Sequence, residues 1–187
     1  MRVLMTGGGT GGHINPALAI AKTILKEEPD SEIAFVGTSK GMENRLIPKE
    51  GFPLYHIEMQ GLRRSLSPSN IKTLWLMMTS VTKAKALIRK FKPDICIGTG
   101  GYVCGPVLRE AIRAGVPTAV HESNAYPGVT VKMLGKEGAL ILLCREDARR
   151  HLPEGVTAVV TGNPLRPDFL TIDKQKAREE LGLDARP

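Results

Sequence analysis

His13 closes the stretch Met5-Thr6-Gly7-Gly8-Gly9-Thr10-Gly11-Gly12-His13, in which five of the seven residues from Gly7 onward are glycine. Glycine lets backbone N–H groups approach a ligand with no Cβ in the way. A loop that ends a strand and opens a helix gathers those amides at the positive end of the helix dipole, which makes an anion cradle. The same dipole opposes a second positive charge, so His13 reads either as a general base or as a helix cap, and both readings stand open.

Three further groups carry chemistry. His121-Glu122-Ser123-Asn124 places four polar residues where a buried strand should end. In open α/β sheets the cleft lies beyond the carboxyl ends of the strands, so Glu122 is a second candidate catalytic group and Asn124 a candidate substrate contact. The alternative is that both satisfy backbone groups in the Ala125-Tyr126-Pro127-Gly128 turn. Gly98-Thr99-Gly100-Gly101-Tyr102-Val103-Cys104-Gly105-Pro106 repeats the glycine theme, and two such loops side by side suit a diphosphate. Tyr102 would stack on a ring or simply cover the loop. Arg166, at the end of Gly162-Asn163-Pro164-Leu165-Arg166, would pair with an anion or be solvated.

The elements that must hold these groups alternate. Residues 2–6, 32–36, 54–59, 95–98, 117–121, 140–143 and 158–161 read as strands. Residues 16–28, 42–47, 68–91, 107–114, 127–134 and 174–181 read as helices, with Pro16 in a first turn where its missing N–H is tolerated. Strands alternating with helices predict an α/β chain, a Rossmann-like doubly wound parallel sheet. Gly7, Gly9 and Gly12 fit G-x-G-x-x-G, but a nicotinamide site also needs an acid at the end of the second strand. The chain offers Gly37-Thr38-Ser39-Lys40 there, which disfavours an NAD-dependent oxidoreductase.

Length, charge and cysteines narrow the field. A chain of 187 residues suits one domain of this class. A net charge of +7 favours anionic partners, yet no basic run is long enough for a nucleic-acid arm, so nucleic acid is the weaker choice and no nucleic-acid partner is expected. Cys96, Cys104 and Cys144 are odd in number and lack metal-ligand spacing, which points to buried thiols in a reducing cytosol and to no metal. There is no secretory h-region and no run as long as a membrane span, so the protein reads as soluble or peripheral. On the 68–91 helix, Ile71, Leu74, Met78, Val81 and Ile88 form a core stripe, and the opposite face carries Leu76 and Leu87 with Lys72, Lys83 and Lys90. That face would dock on anionic lipid or be merely solvated.

Taken together in order and spacing, Gly8–His13, Gly100–Pro106, His121–Gly128 and Gly162–Arg166 resemble the motifs of the MurG family of bacterial peptidoglycan glycosyltransferases. The chain is similar to that family over essentially its whole length, departing at Cys104 (usually serine) and Ser123 (usually glutamine). The resemblance implies the N-terminal, acceptor-binding half of a GT-B glycosyltransferase, with residues 1–163 as the domain. Residues 164–187 would lead to a C-terminal donor-binding domain, so the chain alone should not turn over. It implies inverting, metal-independent transfer of N-acetylglucosamine from UDP-N-acetylglucosamine to lipid I (undecaprenyl-pyrophosphoryl-MurNAc-pentapeptide), with no cofactor. His13 would be the base, and Thr10, Gly11, Gly12, Asn124 and Arg166 would contact the donor. The implied location is cytoplasmic, on the inner face of the cell membrane. A non-catalytic membrane-docking subunit is the alternative.

Overall fold

A computed structural model of the chain describes residues 1–59, 69–166 and 173–183, with the helical backbone alone for 69–78. Among the described residues, seven strands form one parallel sheet: β1 (Arg2–Gly7), β2 (Glu32–Gly37), β3 (Leu54–His56), β4 (Ile95–Gly100), β5 (Thr118–Glu122), β6 (Leu140–Leu143) and β7 (Ala158–Val160). The helices are α1 (Gly11–Glu27), α2 (Glu43–Lys49), α3 (Ser69–Phe91), α4 (Cys104–Arg113), α5 (Val129–Lys136) and α6 (Lys174–Glu180). A short 3-10 helix, Glu146–His151, has no counterpart in the sequence reading.

Strand order is β3-β2-β1-β4-β5-β6-β7, so the chain winds outward in both directions from the β1/β4 pair. This is the doubly wound arrangement expected, and its switch point lies between the two glycine loops. The period-2 alternation of β1 builds both faces. Val3 and Met5 join Ile14, Leu18, Phe35 and Ile47 under α1 and α2, whereas Leu4 joins Ile88, Leu108, Val120 and Leu134 under α3, α4 and α5. Each such fully buried large side chain contributes about 1.5–3 kcal/mol.

Two helices begin earlier than their sequences suggest. α1 starts at Gly11, because the Thr10 carbonyl accepts the His13 and Ile14 N–H groups, both at 3.1 Å. Pro16 is therefore inside the helix and not in its first turn, and it has no N–H to give the Gly12 carbonyl. α4 likewise starts at Cys104, absorbing the end of the second glycine loop.

The lysine-rich face of α3 is also revised. Leu87 is half-buried and packs against the core under α3, α4 and α5, so it is not an exposed leucine. α3 packs along α4, and its Ala84, Ile88 and Phe91 share a core with Leu4 and Val36 of the sheet, so it buries a wider arc than one stripe. Lys83 and Lys90 are exposed, while Leu76 and Lys72 lie among residues 69–78, whose side chains fall outside the described part. Burial pushes the thiols of Cys96 and Cys104 up to about 12, so neither is a nucleophile near neutral pH.

Candidate active site

The first glycine loop and the second are fastened by His13 and Thr99. Thr6 of β1 pairs with Gly98 of β4, but Gly7 pairs with Gly100, leaving Thr99 as an extra residue on β4. Such a bulge re-aims the residue it inserts. The Thr99 hydroxyl donates to the His13 carbonyl at 2.6 Å, and His13 Nδ1 lies 2.9 Å from the Thr99 carbonyl. A carbonyl only accepts, so Nδ1 carries a proton and the neutral ring keeps its lone pair on Nε2. Gly100 leaves the space that the ring fills, since a Cβ there would collide with the imidazole. His13 is thus both a fastener of the turn and a ring held in one tautomer.

Glu122 is buried at the end of β5, and its carboxylate closes the following turn. Oε1 accepts Asn124 N–H at 2.8 Å and the Asn124 side-chain amide at 2.7 Å, and Oε2 accepts Gly128 N–H at 2.9 Å. The geometry favours the backbone-satisfying alternative for this pair: Glu122 shapes the loop, and Asn124 is exposed with its amide turned back on Glu122. His121, also buried, gives Nε2–H to the Gly162 carbonyl at 3.1 Å, tying the 162–166 loop to β5. Burial lowers the pKa of His121 below its ordinary value, although Gly162 and Glu122 pull the other way.

Among the described residues, cavities lie on two sides of the first loop. The larger, about 560 Å³, lies between the α1 start (Gly11, Gly12, Asn15, Pro16), Ser123, and the 163–166 segment. It brings together Gly11, Gly12 and Arg166. Arg166 also bonds Glu50 at 3.4 Å, and Glu50 in turn pairs with Lys22 at 2.6 Å. The Lys22 hydrogen bond above all holds the Glu50 carboxyl below its usual value, outweighing partial burial, so a ligand anion would share Arg166 with an ionised carboxylate. The smaller cavity, about 240 Å³, is bounded by Gly8 and Gly9, by residues 38–43 beyond β2, and by Met59, Tyr102 and Val103. Tyr102 is exposed and belongs to this second space, apart from Gly11, Gly12 and Arg166. Thr10 is the exposed N-cap of α1, and no side-chain capping bond comes from it.

Sequence reasoning passed over Glu43, the first residue of α2. Its side chain is wholly buried and accepts Gly9 N–H at 2.9 Å, Thr38 N–H at 2.8 Å and the Thr38 hydroxyl at 2.9 Å. Burial alone would raise its pKa, but the hydrogen bonds from Gly9 and Thr38 outweigh it and hold the carboxyl below its ordinary value. The Gly9 amide is therefore engaged inside the protein, which removes one donor from the anion cradle. No ribose-binding acid is supplied either, because this carboxylate near the end of β2 is already occupied. The only sequence hint was an acid just after Gly37-Thr38-Ser39-Lys40-Gly41. Among the described residues, no three His, Cys, Asp or Glu side chains cluster as metal ligands, and no helix is long and apolar enough to cross a membrane.

A family model described as Glycosyltransferase family 28 N-terminal domain matches residues 3–139. A relative from Caldanaerobacter subterraneus subsp. tengcongensis is 48% identical over 97% of this chain and 50% of its own length. It is named UDP-N-acetylglucosamine--N-acetylmuramyl-(pentapeptide) pyrophosphoryl-undecaprenol N-acetylglucosamine transferase. A Clostridioides difficile protein of the same name is 45% identical over 98% of this chain and 45% of its own length. The crystal structure of Acinetobacter baumannii MurG superposes with a TM-score of 0.70 at 30% identity, covering 88% of this chain and 46% of that one. A structure of S. aureus MnaA with UDP reaches a TM-score of 0.65 at 16% identity over 97% of this chain and 51% of that one, a likeness of fold alone. The chain spans about half the length of the curated relatives it matches.

Proposed function

The chain belongs to the glycosyltransferase family 28 N-terminal domains, and from that premise we propose that it is the acceptor-binding half of an enzyme joining N-acetylglucosamine to lipid I. UDP-N-acetylglucosamine is the donor and lipid II the product. The observation that carries the reading is His13, at the sheet's switch point, with Nδ1–H committed to Thr99 and Nε2 left as a proton acceptor. Nε2 takes the proton of the acceptor hydroxyl as its oxygen attacks the anomeric carbon of the donor sugar. The sugar–phosphate bond breaks on the opposite face, UDP leaves with the electron pair, and the configuration inverts. The α1 N-terminus lends its dipole to the phosphates, while Gly11, Gly12 and Arg166 line the wall they approach. No step calls on a metal or a cofactor.

In this reading residues 1–163 are the acceptor domain and 164–187 lead to a donor-binding half. The test is transfer of labelled N-acetylglucosamine to lipid I, comparing the 187-residue chain with a two-domain protein carrying the C-terminal half of a relative. Lipid II from the two-domain protein and none from the chain alone is the expected result. A silent two-domain protein would sink the reading.

The acceptor's lipid tail supports a location on the inner face of the cell membrane, with the exposed Lys83 and Lys90 of α3 toward anionic headgroups. Each lysine near such a surface is worth about 1 kcal/mol. Lys83→Gln with Lys90→Gln should then weaken vesicle binding about thirtyfold, and only for anionic vesicles. Equal sedimentation of wild type and variant with anionic vesicles would remove this face from the proposal.

A further inference from the structure

Glu43 is enclosed by glycines from three places in the chain. A Cβ on Gly8 would stand 2.8 Å from its Oε1, a Cβ on Gly37 would stand 2.6 Å from its Cγ, and a Cβ on Gly41 would collide with the carboxylate itself. The first loop, the end of β2 and the approach to α2 all lack side chains where this one charge sits. A buried carboxylate is costly unless its oxygens are hydrogen-bonded, and here three donors reach them. Two of those donors belong to Thr38 and the third is Gly9 N–H, so the carboxylate joins the β2 loop to the first glycine loop. Gly9 has φ +83, and its N–H is held by Glu43 Oε2 at 2.9 Å. The cavity bounded by Gly8, Gly9, Thr38 and Tyr102 takes its outline from this link.

We propose that Glu43 is a positioning residue for acceptor binding: its buried carboxylate pins Gly9 and Thr38 and so sets the first glycine loop in the form the acceptor meets. The inference rests on the acceptor-half reading above. In Glu43→Gln one of the two carboxylate oxygens becomes an N–H₂, so the side chain can no longer accept from Gly9 N–H and Thr38 N–H together, and the link between the loops is broken while the core keeps its volume. With the two-domain protein, the KM for lipid I should rise about tenfold while kcat and the KM for UDP-N-acetylglucosamine stay within about threefold. Thr38→Val, which removes one donor and leaves both amides, should raise the same KM by a smaller factor. It decides the matter if Glu43→Gln does not fold. Gly9→Ala strains the same turn, so Gly9→Ala with Glu43→Gln should raise the acceptor KM no further than the worse single variant. Unchanged acceptor KM in the folded variants, an equal rise in both KM values, or full multiplication of the two effects would each overturn the role of Glu43. A wild-type two-domain protein that makes no lipid II would instead remove the acceptor-half reading, and the inference with it.

Discussion

His13→Ala in the two-domain protein is expected to lower kcat about 100- to 10,000-fold, the usual worth of a positioned general base. The acceptor KM should move little, because Nε2 acts on a proton in the transition state and not on the bound ground state. The same substitution in the 187-residue chain also loses the Nδ1–H bond to Thr99, worth about 1 kcal/mol, and so should lower its melting temperature by about 2–4 °C. His13→Asn separates the two roles of this residue. Its side-chain N–H₂ takes roughly the place of Nδ1 and can serve the Thr99 carbonyl, but it supplies no base. Melting temperature should return to that of the wild type while kcat remains low. Turnover restored by asparagine would mean that His13 only fastens the turn, the cap reading that the sequence left open.

Much of this site is legible before any coordinates, and the illegible part has physical causes. The order of strands and helices follows from hydrophobic period and from glycine and proline punctuation, and both glycine loops fall where the switch point puts them. What failed were helix starts. Glycine has a poor intrinsic helix propensity, so 11–12 read as loop, yet the Thr10 carbonyl captures two N–H groups and begins α1 there. Leu87 was misplaced because a helical wheel knows one buried direction, whereas α3 has α4 beside it as well as the sheet. Glu122 shows a different limit. A carboxylate at a strand end looks the same in sequence whether it faces a substrate or its own turn, and the three donors around it favour the turn. Glu43 was least visible, since its partners Gly9 and Thr38 belong to two loops brought together by the pairing of β1 with β2.

Gly101→Ala is expected to be strongly destabilising. Gly101 has φ +90, and a Cβ there would lie 2.6 Å from the Gly8 carbonyl oxygen and 3.1 Å from the Gly8 nitrogen. Both obstacles are backbone, so no side chain can rotate away to relieve them. Left-handed strain costs about 1–2 kcal/mol for a residue with a Cβ. Forcing an extra methyl into a packed contact adds about 1–3 kcal/mol. The sum, about 2–5 kcal/mol, corresponds to a melting temperature about 4–20 °C lower for a chain of this size. Gly51→Ala supplies the control, because Gly51 has φ +84 and open space around the added carbon. It should show the strain alone, a loss of about 1–2 kcal/mol. Calorimetry of the 187-residue chain compares the two directly, and a Gly101→Ala loss no larger than that of Gly51→Ala would mean the loops can separate freely. The contact matters beyond stability. Gly8 faces the smaller cavity and Tyr102 adjoins it, so pushing the second loop off the first displaces two walls at once. The fold thus brings its two glycine loops within backbone contact and fastens them through His13 and Thr99, so the candidate base is set by the same packing that shapes the cleft.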